Sequence, residues 1–192
     1  MTTKILEKIL SNSKQNKSII GVRKYSDGED IYIGYIVDYN ETLIVLQHIT
    51  KYGLEDGLIV EMIENIESFE TGGEYTSAYQ HLLTNHKEIK EQTVKTLKLE
   101  EGQNWQYHLL TSMFDIIKII TVELNNNTFT HGFIVDFDET YVHLNQIDHV
   151  GKDEGTIIYK INDIVSLTID RLESRKRLAL YKWRKKKPGT KS

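Results

Sequence analysis

Residues 34–68 read GYIVDYNETLIVLQHITKYGLEDGLIVEMIENIES, and residues 132–166 read GFIVDFDETYVHLNQIDHVGKDEGTIIYKINDIVS. The two stretches align without a gap at an offset of 98, with 14 of 35 positions identical. The identities include Gly34/Gly132, Ile36/Ile134, Asp38/Asp136, Glu41/Glu139, Thr42/Thr140, Gly53/Gly151 and Gly57/Gly155. Self-similarity at a fixed period marks a repeated unit. The chain is therefore expected to be two copies of one unit, residues 1–97 and 98–192. The boundary is placed in the least periodic internal stretch, residues 93–102.

Working outward, each copy reads as five short strands. The first copy opens over residues 18–22, turns at Ser26-Asp27-Gly28 and runs on through 31–37. The second opens over 119–122, turns at Asn125-Asn126-Asn127 and runs on through 129–135. The turns Asp38-Tyr39-Asn40-Glu41 and Asp136-Phe137-Asp138-Glu139 lead into strands at 43–46 and 141–144. After the loops Gly53 to Gly57 and Gly151 to Gly155, two strands close each copy, at 58–63 with 66–69 and at 156–161 with 164–169. Short runs rich in β-branched and aromatic residues, bounded by Asn, Asp and Gly, are strand signals. Five strands in about 55 residues suit a small, strongly bent barrel, and closure would remove its exposed edges.

Helices are expected around the strands. Ile5, Leu6, Ile9 and Leu10 recur with helical spacing before the first copy, as do Trp105, Leu109 and Met113 before the second. Tyr75, Ala78, Tyr79, Leu82 and Leu83 form one apolar face after the first copy. Asp170 is placed to cap a last helix over residues 171–185.

Composition excludes several classes. With 39% apolar and 27% charged residues the chain is neither collagen-like, low-complexity nor disordered. No cysteine is present, so disulfides, zinc–thiolate sites and cysteine nucleophiles are excluded. No apolar run approaches the ~18 residues of a membrane helix. The start Met1-Thr2-Thr3-Lys4 lacks a signal peptide's apolar core, which leads us to expect a cytoplasmic protein without membrane partners.

Helix, five short strands and a Gly-aliphatic-acid pattern in the second strand together resemble the Sm-like small-barrel superfamily. Its first motif has a glycine, an aliphatic residue two on, an aromatic or aliphatic at five and an acid at six. Gly34-Ile36-Tyr39-Asn40 and Gly132-Ile134-Phe137-Asp138 are similar to it. The resemblance covers about 55 residues of each half and implies a mainly β fold with flanking helices (α+β), two tandem five-stranded small barrels of Sm-like type related by internal duplication. The family's RNA-contacting asparagine is replaced by Ile44 and Val142, and its Arg-Gly pair is missing from residues 58–63 and 156–161.

Candidate chemistry follows from charge. Residues 171–192 hold ten Lys or Arg against one acid, Glu173, and so carry +9, leaving −13 for residues 1–170 in a chain of net charge −4. Arg175, Lys176, Arg177, Arg184, Lys185, Lys186 and Lys187 lie beside Tyr181 and Trp183. Cations interleaved with aromatics neutralise phosphates and stack on bases. Tyr39 and Phe137, on the repeated acidic turns, are candidate stacking residues, although Asp and Asn in such turns ordinarily serve the backbone. Seven histidines show no ligand spacing, and no Gly-x-Ser-x-Gly or phosphate loop exists, so no metal, cofactor or catalytic residue is assigned. The expectation is a non-enzymatic module that binds RNA or another polyanion through its C-terminal segment. The alternative is a protein-interaction or assembly domain, a homo-oligomer among the options.

Overall fold

The structure is a computed structural model that describes residues 4–26, 28, 30–94, 96–97, 104–116 and 119–186. It divides into two units, Met1–His86 and Lys87–Ser192. Unit 1 contains α1 (Lys4–Asn16), β1 (Ile20–Lys24), β2 (Tyr32–Tyr39), β3 (Leu43–Ile49), β4 (Glu55–Met62), β5 (Ile66–Thr71) and α2 (Glu74–Asn85). Unit 2 contains α3 (Lys87–Lys90), α4 (Trp105–Met113), β6 (Ile120–Leu124), β7 (Phe129–Phe137), β8 (Tyr141–Ile147), β9 (Asp153–Lys160), β10 (Ile164–Ile169) and α5 (Leu172–Lys186).

Each unit holds one antiparallel five-stranded sheet, in the orders β4-β3-β2-β1-β5 and β9-β8-β7-β6-β10. The registers agree as well. Ile20 faces Gly34 and Thr71, while Ile120 faces Gly132 and Ile169. Ladders slip at the same place in both, between Ile36 and Asp38 and between Ile134 and Asp136. Such bulges sharpen the local twist.

The expected barrels do not close. Among the described residues no ladder joins β4 to β5 or β9 to β10, so these strands are sheet edges. A 3-10 turn, Ile63–Asn65 in unit 1 and Ile161–Asp163 in unit 2, links the two edges of each sheet. In a flat sheet those edges would lie about 19 Å apart at ~4.8 Å per strand, and three residues span at most ~10 Å. Each sheet therefore curls strongly without completing a ring of backbone hydrogen bonds.

Glycine permits that curl. A Cβ on Gly34 would stand 2.0 Å from the Gln47 carbonyl oxygen, and one on Gly132 would stand 2.5 Å from that of Asn145. Gly53 and Gly151 have positive φ, and a Cβ on either would collide with Leu82 or Leu180. The loop after β3 thus rests on α2, and the loop after β8 rests on α5.

Helices cover both sheet faces. In unit 1, Leu10 of α1 joins Ile20, Val22, Ile36, Ile44, Leu46 and Ile66 in the main core. Tyr79 of α2 packs with Ile19, Ile33, Tyr35 and Ile49 on the other side. In unit 2, Leu109, Leu110 and Met113 of α4 pack with Ile120, Val122, Val142, Leu144, Ile161 and Ile164. Burying each such aliphatic side chain stabilises its unit by about 2 kcal/mol.

Asp170 does not cap α5 as expected. Its φ is +54°, and its carboxylate accepts the backbone N–H groups of Thr93 and Val94.

Candidate functional site

The basic candidates lie on α5, but most of them turn inward. Arg175 donates from Nε to the Ile89 carbonyl at 2.7 Å and from Nη1 to the Asp170 carbonyl. Lys176 is 5% exposed, and its Nζ lies 2.9 Å from Glu173 Oε1. Arg177 donates from Nη1 to the Ile147 carbonyl at 2.9 Å, and its Nε lies 3.3 Å from the same Glu173 oxygen. Arg184 donates to the Val150 carbonyl at 2.7 Å, and its guanidinium lies 5.7 Å from the Trp183 ring. The single acid of the segment therefore holds two of its cations. Its i,i+3 and i,i+4 spacing to Lys176 and Arg177 is a sequence signal for such pairs.

The outward cations of α5 are Lys182, Lys185 and Lys186, all exposed. Lys185 Nζ lies 5.3 Å from the Tyr181 ring, and Trp183 is half-buried. Lys187 lies outside the described residues.

Tyr39 and Phe137 lie at the ends of β2 and β7, each against the core of its own unit. Tyr39 packs against the core of unit 1, with Lys14 Nζ 5.9 Å from its ring. Phe137 meets Tyr107 and Phe114 edge-on, at centroid distances of 5.8 and 5.5 Å. The acidic turns around them serve the backbone. Asn40 Oδ1 accepts the amides of Thr42 and Leu43, both at 2.8 Å. Asp138 Oδ1 accepts those of Thr140 and Tyr141, at 2.6 and 2.7 Å. These two amide bonds, Tyr141 first, hold the Asp138 carboxyl below the usual carboxylate range. Asp38 is lowered too, first by its hydrogen bond from Lys14 at 2.6 Å.

One histidine stands apart. His131 sits in a polar cleft of about 270 Å³ with Gln146, Asp148, His149, Glu154 and Arg177. Its Nδ1 lies 2.7 Å from Thr121 Oγ1. Burial, then the nearby Arg177 charge, push its pKa down to about 4. His131 is therefore neutral near pH 7. Among the described residues no group of three His, Cys, Asp or Glu side chains is arranged to hold a metal ion. Nor is any described helix long and apolar enough to cross a membrane.

A different surface stands out on the sheet of unit 1. Edge strand β4 turns Leu58, Val60 and Met62 outward, at 59%, 62% and 48% exposure. They face Gln47, Val45 and Leu43 on β3. The same positions on edge strand β9 are Thr156, Ile158 and Lys160, facing Asn145, His143 and Tyr141. A continuous apolar row on an edge strand favours strand addition, and Glu55 and Glu61 of β4 lie off this row, Glu55 at the start of the strand and Glu61 on its inner face paired with Lys24. The sequence signal is present in residues 58–62, where Leu58, Val60 and Met62 supply one face and Ile59 and Glu61 the other. Only the edge position gives it meaning.

Compared with protein-family models, curated proteins and solved structures, the chain matches none of them.

Proposed function

We propose that this chain is a non-enzymatic assembly module that adds a strand at the β4 edge of unit 1. The observation that carries this reading is the outward row Leu58, Val60 and Met62 on a strand with one unpaired side. A second copy fits the row by symmetry. Antiparallel pairing of two β4 strands about Val60 sets Leu58 against Met62 of the other copy, as a two-fold interface requires. The β9 edge opposes the same pairing with Lys160, a charge that resists strand addition. Shared strand order and register at an offset of 98 also support reading the units as duplicates of one Sm-like ancestor.

Sedimentation velocity over a wide concentration range tests the assembly. The full chain is expected to self-associate, and Val60→Lys to sediment as a monomer. A chain that stays monomeric, or an oligomer that Val60→Lys leaves intact, overturns the reading.

Polyanion contact is the second reading, supported by exposed Lys182, Lys185 and Lys186 beside Trp183. It concerns these three lysines and not Arg175, Lys176 or Arg177. Binding to poly-uridine RNA would weaken with salt, and replacing the three by Glu would reduce the log–log salt slope by about 2. RNA that does not bind at low salt removes this reading.

A further inference from the structure

Unit 1 carries a groove of about 850 Å³ between α1, α2, the start of β1 and the end of β5. Ile5, Ile9, Ile19 and Ile20 line it, with Lys4 and Lys8 on the α1 side. Ile5 is 76% exposed. Spacing on α1 explains the arrangement, since Leu6 and Leu10 turn to the core while Ile5 is left facing the groove.

Unit 2 shows what belongs in this place. There α5 stands where α2 does, each meeting the loop glycine of its own unit (Gly151 at Leu180, Gly53 at Leu82), beside β6 and β10 paired in the register of β1 and β5. The residue after the last strand has positive φ in both, Gly72 at +69° and Asp170 at +54°. Residues 87–94 of the chain lie in this slot of unit 2. Ile89 of α3 is 1% exposed, and its carbonyl accepts the Arg175 Nε–H. Thr93 and Val94 donate their amides to Asp170, and Val94 packs against the core that includes Leu109 and Leu110. Each unit thus has a slot beside its last helix and the residue that follows its last strand. In unit 2 a helical turn bearing an aliphatic anchor, followed by an extended piece, occupies part of it and leaves a cleft of about 480 Å³ beside Thr93, Val94, Ile119, Asp170 and Leu178. Unit 1 leaves it open, with lysines at its edge.

We infer that the groove of unit 1 docks a short amphipathic peptide segment of a partner protein. An aliphatic anchor sits among Ile5, Ile9 and Ile19, and acidic side chains face Lys4 and Lys8. Helix-in-groove recognition uses this combination of apolar anchor and flanking charge. The site is separate from the β4 edge and goes beyond the assembly reading.

The test is a methyl NMR titration of the full chain with two synthetic peptides. The first has the sequence of residues 87–94 with Lys87→Glu and Lys90→Glu. The second keeps both lysines and carries Glu88→Lys and Glu91→Lys. The acidic peptide is expected to shift the methyls of Ile5, Ile9 and Ile19 with a dissociation constant of about 100 µM, and the basic one to bind at least about tenfold more weakly. Ile5→Glu, at an exposed position that spares the core, should weaken the acidic peptide about tenfold or more. No shift of these methyls, equal binding of the two peptides, or indifference to Ile5→Glu overturns the proposal. Self-association that Ile5→Glu abolishes would also overturn it, by making a second copy the occupant. Val60→Lys should leave peptide binding unchanged, which separates failure here from failure of the β4 assembly.

Discussion

The two units share a frame and differ in what they leave exposed. Strand order, register, the bulge before Asp38 or Asp136 and the crossing glycines Gly34 and Gly132 are common to both. Unit 1 presents an apolar edge and an open groove, with tyrosines on its last helix (Tyr75 and Tyr79, hydroxyls 3.1 Å apart). Unit 2 has a mixed edge with Ile158 between Thr156 and Lys160, a slot partly occupied by residues 87–94, and ion pairs from Glu173 where unit 1 has Tyr75. The frame is held by small residues and backbone bonds that tolerate little change. The faces are set by side chains that the frame does not constrain, and function is expected where the two units disagree.

The comparison breaks most sharply at the crossing glycines. Gly34→Ala should cost about 3 kcal/mol, because the added methyl meets backbone that must shift. Gly132→Ala should cost somewhat less, in line with its longer contact. Urea unfolding measures both, and equal, negligible costs would show that the sheets do not need their close approach. Next comes Ser13, fully buried on α1, whose hydroxyl donates to the Ser18 carbonyl at 2.8 Å and accepts the Ile36 amide at 2.9 Å. Ser13→Ala should cost unit 1 about 2 kcal/mol by orphaning both groups. Asp170→Ala acts on unit 2 alone, at about 1 kcal/mol. Its signature is faster hydrogen exchange at Thr93 and Val94, with unit 1 amides unchanged.

The last effect appears only on acidification, as a pH dependence confined to unit 2. His131 keeps a folded pKa of about 4, below the unfolded value of 6.5. The unfolded chain then binds the extra proton first, so stability is constant above about pH 6.5 and falls as pH drops toward 4. His131→Gln should flatten that part of the profile in urea titrations followed at several pH values.

Local pattern made much of the frame legible. Alternating β-branched runs between Asn, Asp and Gly located the ten strands, and Gly53, Gly57, Gly151 and Gly155 do have positive φ. Closure was not legible. It depends on whether β4 meets β5 in space, and neither strand's own residues record that. The orientation of the basic side chains was not legible for a related reason. Counting charges treats Arg175 and Arg177 as outward, but their acceptors, Ile89 and Ile147, lie 86 and 30 residues away. Asp170 was read as a cap for α5 and instead reaches back 77 residues to Thr93. The neighbours of Tyr39 and Phe137 in the cores of their units were not legible from the turns that carry them either.

Pairing of β1 with β5 has a kinetic consequence. Ile20 waits for Thr71 before its second edge is covered, so each sheet finishes with its most distant contact, and such non-local closure slows folding. During synthesis the completed β5 emerges ahead of β6, which needs a partner of the same pattern in β10. Were β5 and β10 to exchange places, the chain would take a swapped form, a misassembly known for tandem repeats. Folding of unit 1 before β6 is made would prevent it.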